Sequence, residues 1–146
     1  MIVHVGIVLL AALYTAANEP QPEAVTKELK LLQGTWRAVA GEEGGEKAPG
    51  KEVARLTMIF DGDKFSASVG ILPIMSGTIQ LDPTKSPKTM NLLIKKGRSQ
   101  GRVAEAIYEF DGKELKICLG ELGGDRPTEF KSDNGRHLMA YKREKR

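Results

Sequence analysis

From Gly34 onward the chain is cut into short alternating segments by turn residues, and none of the intervals leaves room for a crossover helix. The segments read TWRAVAG, ARLTMIF, KFSASVG, SGTIQLD, TMNLLIKK, RVAEAIYEF, ELKICLGE and HLMAYKRE. In ARLTMIF, Leu56, Met58 and Phe60 share one face; in KFSASVG, Phe65, Ala67 and Val69 do. Two Asp-Gly turns, Asp61 to Lys64 and Asp111 to Lys113, are hairpin signals. This spacing predicts an all-β fold: an eight-stranded antiparallel up-and-down barrel, closed so that no strand edge is left exposed. Before it, VTKELKLLQG places Val25, Leu29 and Leu32 at helical spacing with Gly34 as the stop, predicting a short N-terminal helix.

The first residues have a different character. IVHVGIVLLAAL is apolar, and no Asp, Glu, Lys or Arg precedes Glu19. The run is shorter than the ~20 residues of a spanning helix and is followed by Thr15, Ala16 and Ala17, the pattern of a secretory signal. The expected organisation is a signal peptide over 1–17, a tether over 18–24 whose Pro20 and Pro22 resist regular structure, and the barrel over 25–146. Export to the periplasm or the medium follows, with an uncleaved membrane anchor as the alternative. In an oxidising compartment the single cysteine, Cys118, has no intramolecular partner. Its place in LKICLG reads as a small buried thiol, against a reactive thiol or a bond between chains.

Several motifs together carry a resemblance: LQGTWR, FDGDKF, GTIQLDPTKSPKTMNL, GRSQG, IYEFDGKELKICLG, DRPTEF and the closing YKR. A GxW triplet opening the first strand after a short helix is similar to the lipocalin superfamily. The whole set resembles a small lipocalin-like domain family expanded in Planctomycetes. The resemblance implies an exported barrel in which Trp36 closes the floor against Arg143; it implies no activity and no cofactor.

Residue counts narrow the chemistry. One His and one Cys remain after the leader, too few for a zinc site of those ligands, and the expectation is no metal and no cofactor. Asp61 and Asp63 flank a hairpin tip, where acids ordinarily serve the turn rather than calcium. The glycines from Gly41 to Gly50 lack the ending of a phosphate loop. No nucleophile elbow is present, and composition leaves only a Cys118–His137 dyad or an Arg126/Glu129 pair as catalytic constellations. The preferred reading of DRPTEF is a loop latch, with Arg126 pairing a carboxylate and Phe130 plugging a barrel end; the alternative sets Arg126 or Glu129 at the mouth, gripping a polar ligand.

The net charge is +3, too mild to indicate nucleic acid by itself. The basic residues are unevenly placed, however. Lys85, Lys88, Lys95, Lys96, Arg98 and Arg102 fall between Pro83 and Ala104 without an acid or an aromatic among them. That excludes a base-stacking platform and suits an anionic envelope partner. Two functions follow. The leading one is an exported non-catalytic barrel binding a small apolar or anionic ligand or an envelope component. In it, Phe60, Phe65, Leu92, Tyr108 and Ile117 line the interior, with Arg126 and Glu129 at its mouth. The other is a structural or interaction module with a filled core, acting through the Lys85–Arg102 surface.

Overall fold

The computed structural model describes residues 22–145; the expected signal peptide and the first part of the tether lie outside them. Helix α1 (Pro22–Leu32) carries Glu23 in its first turn and Lys30 in its last, each complementing the helix dipole. It begins inside the stretch read as tether. Pro22 occupies the first turn, where its missing N–H costs nothing, and its carbonyl accepts the Thr26 hydroxyl at 2.9 Å.

Then follow β1 (Gly34–Glu43), β2 (Glu46–Lys47), the single-turn α2 (Gly50–Val53), β3 (Leu56–Asp61), β4 (Lys64–Val69), β5 (Leu72–Asp82), β6 (Lys88–Gly97), β7 (Val103–Phe110), β8 (Glu114–Leu119) and β9 (His137–Arg143). Apart from β2, each strand pairs antiparallel with the next in sequence, and β9 returns to β1. The result is the closed eight-stranded up-and-down barrel with an N-terminal helix, and β2 is an extra strand folded onto the end of β1. The segment EEGGEKAPGKE, between the first two predicted strands, thus contains β2 and most of α2. Gly44 (φ 59) and Gly45 (φ 80) supply the positive φ values of a two-residue hairpin turn there.

Strand β5 also starts earlier than its pattern suggested, at Leu72 instead of Ser76. Pro73 is accommodated opposite Ser68, where the β4–β5 register shifts, so the ladder loses little from its missing donor. Further along β5 the neighbouring strand comes very close: a Cβ on Gly77 would lie 1.9 Å from the Leu93 carbonyl oxygen. Only glycine fits this bulge.

The closed sheet has two poles. At the floor lie α1, the start of β1, the end of β9 and the turns after β3, β5 and β7. At the rim lie the connections after β1, β4, β6 and β8. One contiguous apolar cluster fills the space between, with Trp36, Phe60, Met90, Leu92, Tyr108 and Leu115 among its buried members. The long connection from Gly120 to Arg136 folds back over the outside of the wall. Beneath it Ile107 and Cys118, paired across β7 and β8, are fully covered, and Pro127 of the connection is itself buried.

Candidate functional site

Alternation turns Phe60, Phe65, Leu92, Tyr108 and Ile117 inward, and all five are members of the central cluster with at most 4% of their surface exposed. They belong to one contiguous buried cluster, and the interior of an eight-stranded barrel is just wide enough for such side chains to fill. At the floor Trp36 is wholly buried, with its indole N–H donating to the Leu32 carbonyl at 2.8 Å. Arg143, its register partner across β1–β9, lies over the ring with Cζ 4.4 Å from the centroid. Phe110 meets the indole edge-on at 5.5 Å and shares the guanidinium at 5.6 Å. Arg143 also donates to the Leu31 carbonyl, fastening the end of α1 to the last strand.

A second tie was not foreseen from sequence. Glu28, on the buried side of α1, accepts from Lys88 Nζ at 2.8 Å and from the Tyr108 hydroxyl at 3.1 Å. Burial first, and the Glu28 carboxylate second, push the Tyr108 phenol well above its ordinary value. The phenol therefore stays a donor, and the carboxylate has two partners where an unpaired one would be costly. Its sequence signal was weak: Glu28 sits beside the Val25–Leu29–Leu32 stripe, where a charge looks like the solvent edge of the helix.

Arg126 and Glu129 part company. Arg126 lies against the outer wall, donating to the Ala106 carbonyl at 2.8 Å, the Met90 carbonyl at 3.2 Å and Asn91 Oδ1 at 2.5 Å, with the Glu105 carboxylate 3.6 Å away. Glu129 is exposed and pairs with Lys131 at 3.1 Å. Neither side chain reaches the barrel mouth. Phe130 is half-buried, is not part of the central cluster, and borders a shallow pocket at the floor edge with Lys85, Pro87 and Phe110.

An open cleft of about 1130 Å³ extends from α1 to this latch, bordered by Val25, Leu29, Asp82, Asn91, Arg126 and Pro127. Among its polar side chains, Arg126 and Asn91 bond each other and Asp82 is held by Thr84. The Thr84 hydroxyl, above all, holds the Asp82 carboxyl below its ordinary value, and Arg126 spends its donors on the wall.

Cys118 faces outward under the latch, with its thiol 3.3 Å from the Lys131 carbonyl, and burial raises its pKa. His137 pairs with Leu119, one residue on, and therefore lies on the opposite face of the sheet, 3.8 Å from Glu43. The two side chains form no dyad. In the Asp61–Asp63 turn, Gly62 (φ 61) both donates to and accepts from the Gln33 amide, at 2.7 and 3.0 Å, so the turn is a fastening for α1.

The basic run is divided by the length of β6. Lys85 and Lys88 stand at the floor, Lys88 already paired with Glu28. Lys95, Lys96, Arg98 and Arg102 gather at the rim. From Lys64 to Ala104 the only acid is Asp82, at the floor end of β5. No protein-family model, curated protein or solved structure matches the chain.

Proposed function

We propose that the protein is an exported, non-catalytic interaction module that binds an anionic component of the cell envelope through its basic rim. The observation that carries this reading is the gathering of Lys95, Lys96, Arg98 and Arg102 at one pole of a barrel whose interior is occupied by its own side chains. A filled barrel is a rigid platform, and a cluster of one sign raises the local concentration of oppositely charged partners. The apolar leader supports export, where anionic polymers and lipid headgroups are the abundant surfaces.

The test uses the chain from Asn18 onward, which contains the whole closed barrel and its core. Titration with dextran sulfate is expected to show binding that weakens as salt rises. Lys95→Glu/Lys96→Glu/Arg98→Glu is expected to abolish it, while Lys142→Glu, near the floor, leaves it in place. Equal binding by the triple variant would overturn the reading. The size of the cleft beside α1 supports small-ligand binding on the outer wall as a second reading. Native mass spectrometry of protein from its own host tests that reading by showing a bound small molecule or none.

A further inference from the structure

Next to the basic rim is a feature that neither the core nor the latch uses. The four residues Ile71, Leu72, Pro73 and Ile74 are all exposed; Ile71 is wholly so and Leu72 64%. The other large exposed apolar residues among the described ones, Leu31, Val39, Ile59 and Val103, occur singly. A run of this kind at a loop tip costs solubility and has no packing return, which marks it as an interaction element.

Its geometry is defined. Val69 and Leu72 close the β4–β5 hairpin, leaving a two-residue turn of Gly70 and Ile71. Gly70 (φ 61) takes the position that demands a glycine, and its N–H donates to the Arg55 carbonyl at 2.8 Å. Ile71 therefore sits at the apex, where a polar residue is usual. The β5–β6 ladder ends at Met75 and Gly97, so Leu72 to Ile74 project about 10 Å past it, at ~3.3 Å per residue. Cations stand around the base of this projection. The Arg55 guanidinium lies against Gly70, Lys96 pairs with Ser76 beside Lys95, and Arg98 is in the adjoining β6–β7 turn. The acids Glu42, Glu43, Glu46 and Glu52 belong to the β1–β2 hairpin and α2, which are separated from β5 by β3 and β4.

We infer that the β4–β5 hairpin is a lipid-insertion tip: Ile71, Leu72 and Ile74 enter the interfacial layer of an anionic bilayer while Arg55, Lys95, Lys96 and Arg98 lie against its headgroups. This deepens the rim reading and rests on it, naming the anionic component as a phospholipid surface. Charge complementarity selects the occupant. A second copy would bring like charges tip to tip, whereas an anionic bilayer receives the apolar apex and its cationic collar together. Short apolar segments with a basic border bind such surfaces by shallow burial, so no spanning element is needed; among the described residues no helix is long and apolar enough to cross a membrane.

The experiment compares vesicles of phosphatidylcholine alone with vesicles containing one-quarter phosphatidylglycerol, using the chain from Asn18. The protein is expected to sediment with the anionic vesicles and not with the neutral ones. Ile71→Ser/Leu72→Ser is expected to weaken that binding about tenfold or more and to leave dextran sulfate binding unchanged. Each rim charge removed is expected to weaken it about fivefold. Ile71→Trp supplies a reporter, since the single native tryptophan, Trp36, is buried; the emission of the introduced indole is expected to shift to the blue on anionic vesicles. Wild-type vesicle binding by the serine variant, or an unmoved emission from the Ile71→Trp variant with the protein bound, would overturn insertion while leaving the rim reading intact. A dimer that depends on Ile71, without vesicle binding, would also overturn it. Loss of both vesicle and dextran sulfate binding in the wild type would remove the rim reading as well.

Discussion

If the floor is closed by a stacked pair, removing the indole and the guanidinium must be non-additive. Trp36→Leu keeps much of the buried volume but removes the π face and the donor to the Leu32 carbonyl at 2.8 Å; its cost is roughly 2–3 kcal/mol. Arg143→Met keeps the aliphatic stem, which runs past Gly34, and removes only the charged head. That head has three partners: the Trp36 ring at 4.4 Å, the Phe110 ring at 5.6 Å and the Leu31 carbonyl. Because Arg143 is exposed, its contact with the indole belongs at the low end, about 0.5–1 kcal/mol. The hydrogen bond adds about 1 kcal/mol. Arg143→Met alone is thus expected to cost about 1.5–2 kcal/mol, but only about 1 kcal/mol in the Trp36→Leu background, where the Leu31 bond survives. The coupling energy is about 0.5–1 kcal/mol, and the double variant's total cost of about 3–4 kcal/mol stays below a stability of ~5–15 kcal/mol, so all four proteins stay folded. Urea denaturation followed by circular dichroism measures it, since fluorescence loses its only indole in two of the four. Coupling below ~0.3 kcal/mol would show that the stacking carries no energy and that the floor is held by burial alone.

Two further outcomes follow from the turn and the latch. Asp111 Oδ1 accepts from the backbone N–H groups of Glu114 and Lys113, each at 2.8 Å, and these bonds hold its carboxyl below the ordinary 3.8. The carboxylate's contribution is therefore complete above the ordinary value and lost as pH falls through the lowered one. Urea midpoints of wild type and Asp111→Ala should differ at neutral pH and draw together as pH falls below the ordinary 3.8; a constant gap would refute the assignment. Cys118 is covered by the connection that Arg126 pins, so its thiol should react with a disulfide reagent far more slowly in the native than in the unfolded protein. Arg126→Ala should speed native labelling at unchanged denaturation midpoint for the barrel, and an unaltered rate would show that Arg126 does not hold the latch.

The strands were readable because their punctuation is chemically specific. The two Asp-Gly turns fix the register of their hairpins, and with register comes the inward set of Phe60, Phe65, Tyr108 and Ile117. The Trp36–Arg143 stack was reached through resemblance, and the β1–β9 ladder supplies its geometry. Other features were hidden for definite reasons. Pro73 broke the pattern of β5, so the exposed ILPI run fell between the predicted strands, and its value depends on exposure, which alternation does not reveal. Ile107 and Cys118 are apolar on the outward face, and only a connection folded back over the wall makes that burial sensible. The basic run was visible as composition. Its division between floor and rim depends on β6 holding Lys88 and Lys96 at opposite ends of one strand.

The closure of β1 on β9 also decides how the barrel meets mechanical force. The strands are antiparallel, and the chain enters through α1 and leaves after Arg143 at the same pole. A pull between the two ends therefore does not shear the seam along its length. It opens the seam like a zipper, rung by rung, starting where the Glu144 N–H meets the Thr35 carbonyl at 2.8 Å and moving next to the Trp36–Arg143 rung. The load enters the barrel at its best-fastened point. The rim and its apolar hairpin lie at the far end of the structure and feel that tension last.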